Sequence, residues 1–273
     1  MGRGRQIEME KLFRIKRYDP EGGPSPRWQE FHVSLGPYER LLDGLIRIKD
    51  TIDGSLTFRR SCAHGMCGSC AMKINGKSAL ACQTLAKDTR GTVVFEPLPA
   101  FPVIKDLAVD MDAFYEKNSS VMPYLLNDEP YLLNDRYYLP NDRYYLLNDR
   151  PGPERERPQN PKELERILDQ IKCILCGCCT SACPVYWADR DYLGPAALVK
   201  ASRFILDSRD RARGESERLQ KIAGAHGLWR CHLVYNCVEV CPKSIDITAH
   251  ISGLKRLTMK INKKIKKDAK GRR

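Results

Sequence analysis

Two segments near the start of the chain alternate apolar and polar residues. Residues 10–17 (EKLFRIKR) and 28–34 (WQEFHVS) alternate in this way, and the DPEGGPSP between them is rich in turn-forming residues. Alternation on both sides of a turn predicts an antiparallel hairpin. Residues 39–50 have the spacing of a helix, and two short strands follow, AMKING and GTVVFEPL. The first of these strands ends in an Asn75-Gly76 turn.

The second half of the chain has helical periodicity instead. Apolar residues recur at three- and four-residue steps in residues 161–176, 194–207 and 244–265. Pro184 and Pro242 end local turns. The patterns predict four parts: a first domain (1–118), a linker (119–160), a helical domain (161–254) and a basic tail (255–273).

A tandem repeat occupies the linker. Four tyrosines each begin a seven-residue unit close to YLLNDRY: Tyr124, Tyr131, Tyr138 and Tyr145. A period of seven is that of a coiled coil, but Asn-Asp recurs in every unit and Pro130 and Pro140 interrupt the tract. We therefore predict a surface linker, with a docking strap for a partner subunit as the alternative.

The positive charge is concentrated at the C-terminal end. The whole chain carries +12, of which residues 255–273 contribute +9, from ten Lys or Arg and one Asp, leaving +3 elsewhere. Six apolar residues in and just before this segment share one helix face: Ile247, Ile251, Leu254, Leu257, Ile261 and Ile265. Such a helix either lies on an anionic membrane surface or packs on the core and continues as a solvated tail. With the charge confined to one end, we expect no nucleic-acid partner.

Composition narrows the class of protein. A hydrophobic content of 42% is ordinary for a soluble protein, and no run of 18 apolar residues is present to span a membrane. The start, MGRGRQIEMEKLF, has no apolar signal-peptide core, so we expect the protein to stay on the side where it is made. A chain beginning at Met1 without a presequence favours a prokaryotic source. Twelve cysteines in a reducing compartment favour metal binding over disulfides.

The first group of cysteines has the C-x4-C-x2-C…C spacing of plant-type [2Fe-2S] proteins. Its members are Cys62, Cys67, Cys70 and Cys82. Gly65 and Gly68 suit a loop that wraps a cluster, because glycine reaches positive φ without steric cost. A zinc knuckle or a disulfide cluster is the alternative, but zinc sites favour paired C-x2-C spacings. Together with the hairpin, the helix and the closing strands, this loop predicts an N-terminal β-grasp ferredoxin domain.

The second and third groups have the rhythm of bacterial ferredoxins, C-x2-C-x2-C-x3-C-P, in which the fourth cysteine ligates the other cluster. The second group comprises Cys173, Cys176, Cys179 and Cys183, and the third comprises Cys231, Cys237 and Cys241. In the third group Val234 stands where the rhythm would place a cysteine. The second domain is therefore predicted to be an all-α bacterial-type ferredoxin domain, which makes the fold class α+β.

If the last cysteine of each run ligates the cluster of the other run, one site receives four cysteines and the other receives three. We predict a [4Fe-4S] cluster on Cys173, Cys176, Cys179 and Cys241, and a [3Fe-4S] cluster on Cys183, Cys231 and Cys237. Cys178 is left over, and we interpret it as a small buried residue that packs near a cluster, with ligation as the alternative. Three clusters in one chain favour an electron-transfer subunit. The other class is a binding module, either structured by zinc or attracted to nucleic acid through the basic tail, and it would contain zinc and no iron.

Longer stretches of the chain resemble the iron–sulfur subunit of succinate dehydrogenase, respiratory complex II. These are FRRSCAHGMCGSCAMKING, CILCGCCTSACPVYW, YLGPAALV, DSRD and CHLVYNCVEVCPKSI, and the resemblance covers nearly all of residues 10–260. It implies a partner flavoprotein with covalent FAD that oxidises succinate, and one or two membrane-anchor subunits. It also implies a peripheral position on the cytoplasmic face of a prokaryotic inner membrane, or on the matrix face in an organelle.

The resemblance further implies the direction of electron flow. In this family electrons pass from flavin to the [2Fe-2S], [4Fe-4S] and [3Fe-4S] clusters and then to quinone. It places quinone contacts on Pro184, Trp187 and His232, although His232 could instead donate a hydrogen bond to backbone. The alternative function is the matching subunit of a quinol:fumarate reductase, which shares the wiring and runs in the opposite direction. The CILCGCC sequence at residues 173–179 favours succinate oxidation.

Overall fold

The structure is a computed structural model of the chain. It describes residues 8–23, 25–125, 137–138, 144–145, 159–210 and 212–270. Within these ranges an N-terminal sheet is followed by a helical C-terminal half. The mixed α+β architecture predicted from the sequence is confirmed.

The predicted hairpin is confirmed as the edge of the main sheet. Strand β1 (Met9–Arg17) pairs antiparallel with β2 (Arg27–Leu35), with Phe13 opposite Phe31. Phe13 and Ile15 are fully buried, because alternate residues of β1 point into the core. The alternation that predicted the strand thus also selects its buried face.

The sheet has five strands in the order β2-β1-β5-β3-β4. Strands β3 (Ala71–Ile74) and β4 (Lys77–Leu80) form a second hairpin, and β5 (Val93–Glu96) lies parallel to β1. Helix α1 (Leu41–Thr51) has a fully buried face of leucine and isoleucine, and it contacts β2. This is the β-grasp arrangement, with one strand, β4, that the sequence analysis did not predict.

Shorter elements complete the first domain and enter the linker. A 3₁₀ turn at Ala86–Asp88 is followed by β6 (Val103–Lys105), β7 (Ala108–Val109) and α2 (Asp112–Ser119). Within the tyrosine repeat, β8 (Tyr137–Tyr138) pairs with β9 (Tyr144–Tyr145). Apart from Tyr124 and Leu125, the rest of the repeat lies outside the described residues, so the surface-linker interpretation stays a prediction.

The second half is helical, as predicted. Its elements are α3 (Pro161–Glu165), α4 (Leu168–Ile171), α5 (Cys178–Ser181), α6 (Pro184–Ala188), α7 (Gly194–Ile205), α8 (Ala212–Ala223), a 3₁₀ turn (Leu228–Arg230), α9 (Asn236–Glu239) and α10 (Ile247–Lys270). The single helix predicted over residues 161–176 is wrong, since helical structure ends at Ile171. Leu175 and Gly177 have φ of +54° and +79°, which an α-helix does not tolerate.

Helix α10 packs on the core at its N-terminal end. Ile247, Ile251 and Leu254 are buried, and the helix contacts α7. Of the two roles considered for this amphipathic segment, core packing therefore applies to residues 247–254. The helix continues without interruption across the predicted boundary at residue 254. Among the described residues, no helix combines the length and apolarity needed to cross a bilayer.

The two halves meet along a packed, partly polar seam. Helix α2 contacts α7, and β4 contacts α5. At the second contact the Ser78 and Ser181 hydroxyls are hydrogen-bonded at 2.7 Å and are buried. Ser181 Oγ also donates to the carbonyl oxygen of Cys178 at 2.8 Å. This pair of serines joins the first domain to α5, the helix that carries Cys179 of the second cysteine run.

Replacing Ser78 with alanine is expected to lower the free energy of unfolding by about 1 kcal/mol, because a buried hydroxyl pair loses one partner. Ser181 keeps its bond to Cys178, so the loss stays modest. Urea denaturation of Ser78→Ala, Ser181→Ala and the double variant measures the effect. A double-mutant cycle with no coupling between the two serines would contradict this assignment.

Candidate metal centres

The first site begins in the loop before β3. Cys62 Sγ accepts backbone N–H groups from His64 at 3.5 Å and from Met66 and Cys67 at 3.3 Å each. These hydrogen bonds, led by that from His64, lower the pKa of Cys62 to about 6. Thiolate is the form that binds metal, so the loop favours the ligating state of this residue.

The other cysteines of this site flank the second hairpin. Cys70 directly precedes β3 and Cys82 follows β4, and both are buried. The β3–β4 register, with Ala71 opposite Leu80, brings the two ends together. Burial, together with the nearby Cys82 and Cys67, raises the pKa of Cys70 to about 12. The structure therefore gathers the four cysteines predicted for the [2Fe-2S] site.

A second group of thiols lines a hollow of about 380 Å³ in the helical half. Its cysteines are Cys173, Cys176, Cys179 and Cys241. Three come from the second run and one from the third, which is the crossed supply that the spacing predicts. Apolar side chains of Ala196, Val199 and Ile245 form much of the remaining wall. Burial raises the pKa of Cys179, as expected for a thiol placed among apolar groups.

A third group lines a neighbouring hollow of about 340 Å³. Its cysteines are Cys183, Cys231 and Cys237, again drawn from both runs. Val234 lines the same hollow. Burial raises the pKa of Cys237 to about 11. The two hollows are similar in size and differ by one thiol.

The backbone repeats between the two cysteine runs. Leu175 and Gly177, which flank Cys176, have φ of +54° and +79°, while Leu233 and Tyr235, which flank Val234, have +56° and +69°. Each second positive-φ residue directly precedes a four-residue helix, α5 or α9. Val234 thus occupies the backbone position of Cys176 and offers an isopropyl group in place of a thiol.

Cys178 lies beside the second site and does not line its hollow. Its side chain is fully buried. A hydrogen bond between the side chains of Cys176 and Cys178 raises the pKa of Cys178 and lowers that of Cys176. The sequence interpretation of Cys178 as a packing residue omitted this thiol hydrogen bond, which the spacing alone could not reveal.

The first and second sites touch through Gly68. A Cβ atom built on Gly68 would lie 2.9 Å from both Cα and Cβ of Cys176 and 3.2 Å from the carbonyl oxygen of Ile174. A shared cleft is lined by Cys67, Gly68 and Cys176. The sequence assigned Gly68 to loop geometry alone, and the contact across 108 positions (176 − 68) carried no local signal.

The three residues expected at a quinone site separate into two groups. Pro184 and His232 line one open depression, together with Asp189, Arg190 and Arg230. Trp187 lies on the same short helix as Pro184, is 53% exposed, and is not part of this lining. Its indole N–H donates to the carbonyl oxygen of Ser181 at 2.6 Å. The charged neighbours of His232 were not identified from the sequence.

Two regions of the chain match family models. Residues 12–116 match the 2Fe-2S iron-sulfur cluster binding domain, and residues 169–245 match the 4Fe-4S dicluster domain. The first match contains the loop and both hairpins, and the second contains the two crossed cysteine runs.

Whole-chain comparisons extend over both regions. The chain is 40% identical over 251 residues to the succinate dehydrogenase iron-sulfur subunit of Paracoccus denitrificans, covering 90% of this chain and 87% of that one. It is 40% identical over 254 residues to the mitochondrial succinate dehydrogenase [ubiquinone] iron-sulfur subunit 1 of Oryza sativa subsp. japonica, covering 91% and 82% respectively. A chain of the Mycobacterium smegmatis Sdh1 complex in the apo form superposes with a TM-score of 0.73 at 25% identity, covering 92% of this chain and 96% of that one. On these grounds the chain belongs to the family of succinate dehydrogenase iron–sulfur subunits.

Proposed function

We propose that this subunit holds three iron–sulfur clusters in a row and carries electrons from a flavoprotein subunit to membrane quinone. The observation that carries the proposal is the spatial order of the three thiol groups. The first touches the second through Gly68 and Cys176, and the second and third share both cysteine runs. When bound, each cluster takes up and releases single electrons.

The ligand sets follow from the thiols that lie together. We assign [2Fe-2S] to Cys62, Cys67, Cys70 and Cys82, and [4Fe-4S] to Cys173, Cys176, Cys179 and Cys241. We assign [3Fe-4S] to Cys183, Cys231 and Cys237. The donors suit these groups, because Fe–S clusters are held by Cys thiolates and all twelve cysteines are free of disulfides.

The third assignment depends on Val234. The hollow it lines supplies three thiols and an isopropyl group, so the chain can hold three irons there and has no cysteine for a fourth. This explains why a domain described as a 4Fe-4S dicluster would carry one smaller cluster in this chain.

The flavoprotein, with its covalent FAD, is placed at the first site. The Cys62 loop reaches the surface there, with His64 exposed and the Met66 side chain 57% exposed. A partner bound over this loop would lie next to the [2Fe-2S] ligands. It would be at the opposite end of the row of three sites from the third site, which contains Cys183. The loop therefore supports entry of electrons at this end.

Quinone is placed in the depression lined by Pro184 and His232. This depression and the third thiol hollow share Pro184, His232 and Val234 as lining residues. The His232 imidazole can donate a hydrogen bond or a proton to a quinone oxygen, since quinone reduction consumes protons as well as electrons. Trp187 adjoins the depression and is proposed as a neighbouring contact.

Membrane-anchor subunits are placed around the same end. Several large apolar side chains are exposed on the segments beside the depression: Trp187, Trp229, Val234 and Tyr235. Exposed apolar side chains grouped in this way are typical of an interface with another apolar surface. The subunit would then sit peripherally on the membrane, on the cytoplasmic face of a prokaryotic inner membrane or on the matrix face in an organelle.

Low-temperature EPR of the complex, oxidised and then reduced stepwise, tests the proposal when iron and sulfide are counted on the same sample. We expect a three-iron signal in the oxidised state and two further clusters on reduction. Zinc without iron would refute electron transfer, and a second four-iron cluster would refute the role given to Val234. The quinol:fumarate reductase alternative is not favoured, because both curated relatives described above are named succinate dehydrogenase.

A further inference from the structure

Lys200 places an ammonium group beside the second thiol site. It lies on α7, which contributes Ala196 and Val199 to the wall of that hollow. Its Nζ donates to the carbonyl oxygen of Cys173 at 3.1 Å, and the residue is half-buried. The hydrogen bond therefore fixes a positive charge on the backbone of a cluster ligand.

Among the described residues, the Lys200 ammonium forms no ion pair with a carboxylate. Within the described part of the chain, no Asp or Glu oxygen lies within 4.0 Å of the Lys200 ammonium. The 3.1 Å hydrogen bond to the Cys173 carbonyl oxygen therefore holds an ammonium group without a carboxylate partner at the edge of the second thiol site.

We propose that Lys200 raises the reduction potential of the [4Fe-4S] cluster held by Cys173, Cys176, Cys179 and Cys241. The inference rests on the proposed ligand set for this cluster. Lys200 supplies no ligand atom. It acts through its positive charge, which its hydrogen bond to the Cys173 backbone holds beside the cluster.

The physical reason is the change of charge on reduction. One-electron reduction adds one negative charge inside the hollow, and a fixed cation stabilises the reduced form more than the oxidised form. A half-buried position limits screening by salt. Lys243 also lines the hollow and its positive charge also acts on Cys176, but its Nζ lies 3.5 Å from Met66 Sδ, toward the first site. Among the described residues, Lys200 is the cation that is hydrogen-bonded to a ligand residue of this site.

A redox titration followed by EPR on the intact complex tests the proposal. In Lys200→Gln we expect the equilibrium constant for reducing the [4Fe-4S] cluster to fall about tenfold, which is about 59 mV lower for a one-electron couple. Lys200→Arg keeps the charge and should stay near the wild-type potential. Lys221→Gln removes an exposed lysine of α8 that lines none of the three sites, and it should leave the potential unchanged.

The outcomes separate this inference from the function it rests on. A wild-type complex without a [4Fe-4S] signal would refute the proposed ligand set. A normal signal with the same potential in Lys200→Gln, or an equal fall in Lys221→Gln, would refute the role of Lys200 alone. Lys200→Met is measured in parallel, and loss of the cluster from both neutral variants would show that Lys200 holds the loop in place and does not tune it.

Discussion

Replacing Gly68 with alanine is expected to lower the free energy of unfolding by about 2–5 kcal/mol and to weaken the contact between the first two sites. The new methyl group would lie 2.9 Å from the Cα and Cβ atoms of Cys176, and Gly68 has a φ of +72°. Neither clash can be relieved by a side-chain rotation alone, because Cα belongs to the backbone and the backbone also fixes the position of Cβ. The two loops must move apart, and both carry proposed cluster ligands.

Gly76→Ala is the matched control. Gly76 has a φ of +84°, so it imposes the same kind of backbone strain, but nothing lies within 4 Å of its added Cβ. We expect a cost of about 1 kcal/mol there and no change in electron transfer. Urea denaturation and succinate-driven quinone reduction by the assembled complex measure both variants. Equal losses in the two would show that backbone strain is responsible and that the contact with Cys176 is not.

Val234→Cys is expected to add about one iron per chain, because it completes the four-thiol pattern of the bacterial ferredoxin run. The backbone is already suited to this change, since Val234 lies between two positive-φ residues just as Cys176 does. We expect the three-iron signal of the oxidised protein to disappear. The potential of the site should fall, and quinone reduction should slow.

Val234→Ala serves as the control for this substitution. It changes the same side chain without supplying a thiol, so the three-iron signal should persist. Iron and sulfide analysis combined with EPR of the oxidised protein distinguishes the two variants. If Val234→Cys kept an unchanged three-iron signal, the side chain at this position would not reach the cluster.

The sequence predicted the parts of the fold that depend on local pattern. The β1–β2 hairpin and α1 follow from alternation and helical spacing, and both occur within a few residues of the predicted bounds. The helix predicted over residues 161–176 fails where ligand geometry outweighs periodicity. Ile174 and Leu175 continue an apolar pattern, yet Leu175 takes a positive φ in the loop between Cys173 and Cys176.

The cysteines of the candidate sites could be predicted because their spacing along the sequence is itself typical of iron–sulfur proteins. Spacing alone indicated that Cys241 belongs with the second run and Cys183 with the third, and the structure places them accordingly. The Gly68–Cys176 and Lys200–Cys173 contacts join residues on different elements, so no local pattern could indicate them. Trp187 is the opposite case, a residue assigned to the quinone site from the sequence resemblance. In the structure its exposed ring lies next to the depression, and its indole N–H donates to the carbonyl oxygen of Ser181.

The crossed supply of thiols has a consequence for biosynthesis. The second thiol site needs Cys241 in addition to three cysteines of the second run. The third site needs Cys231 and Cys237 in addition to Cys183. A ribosome that has released residues up to Cys183 has therefore made no finished site in the helical half. Both sites become complete only when the third run has emerged and α9 has docked. Iron loading of both proposed sites would thus require that translation has passed Cys241.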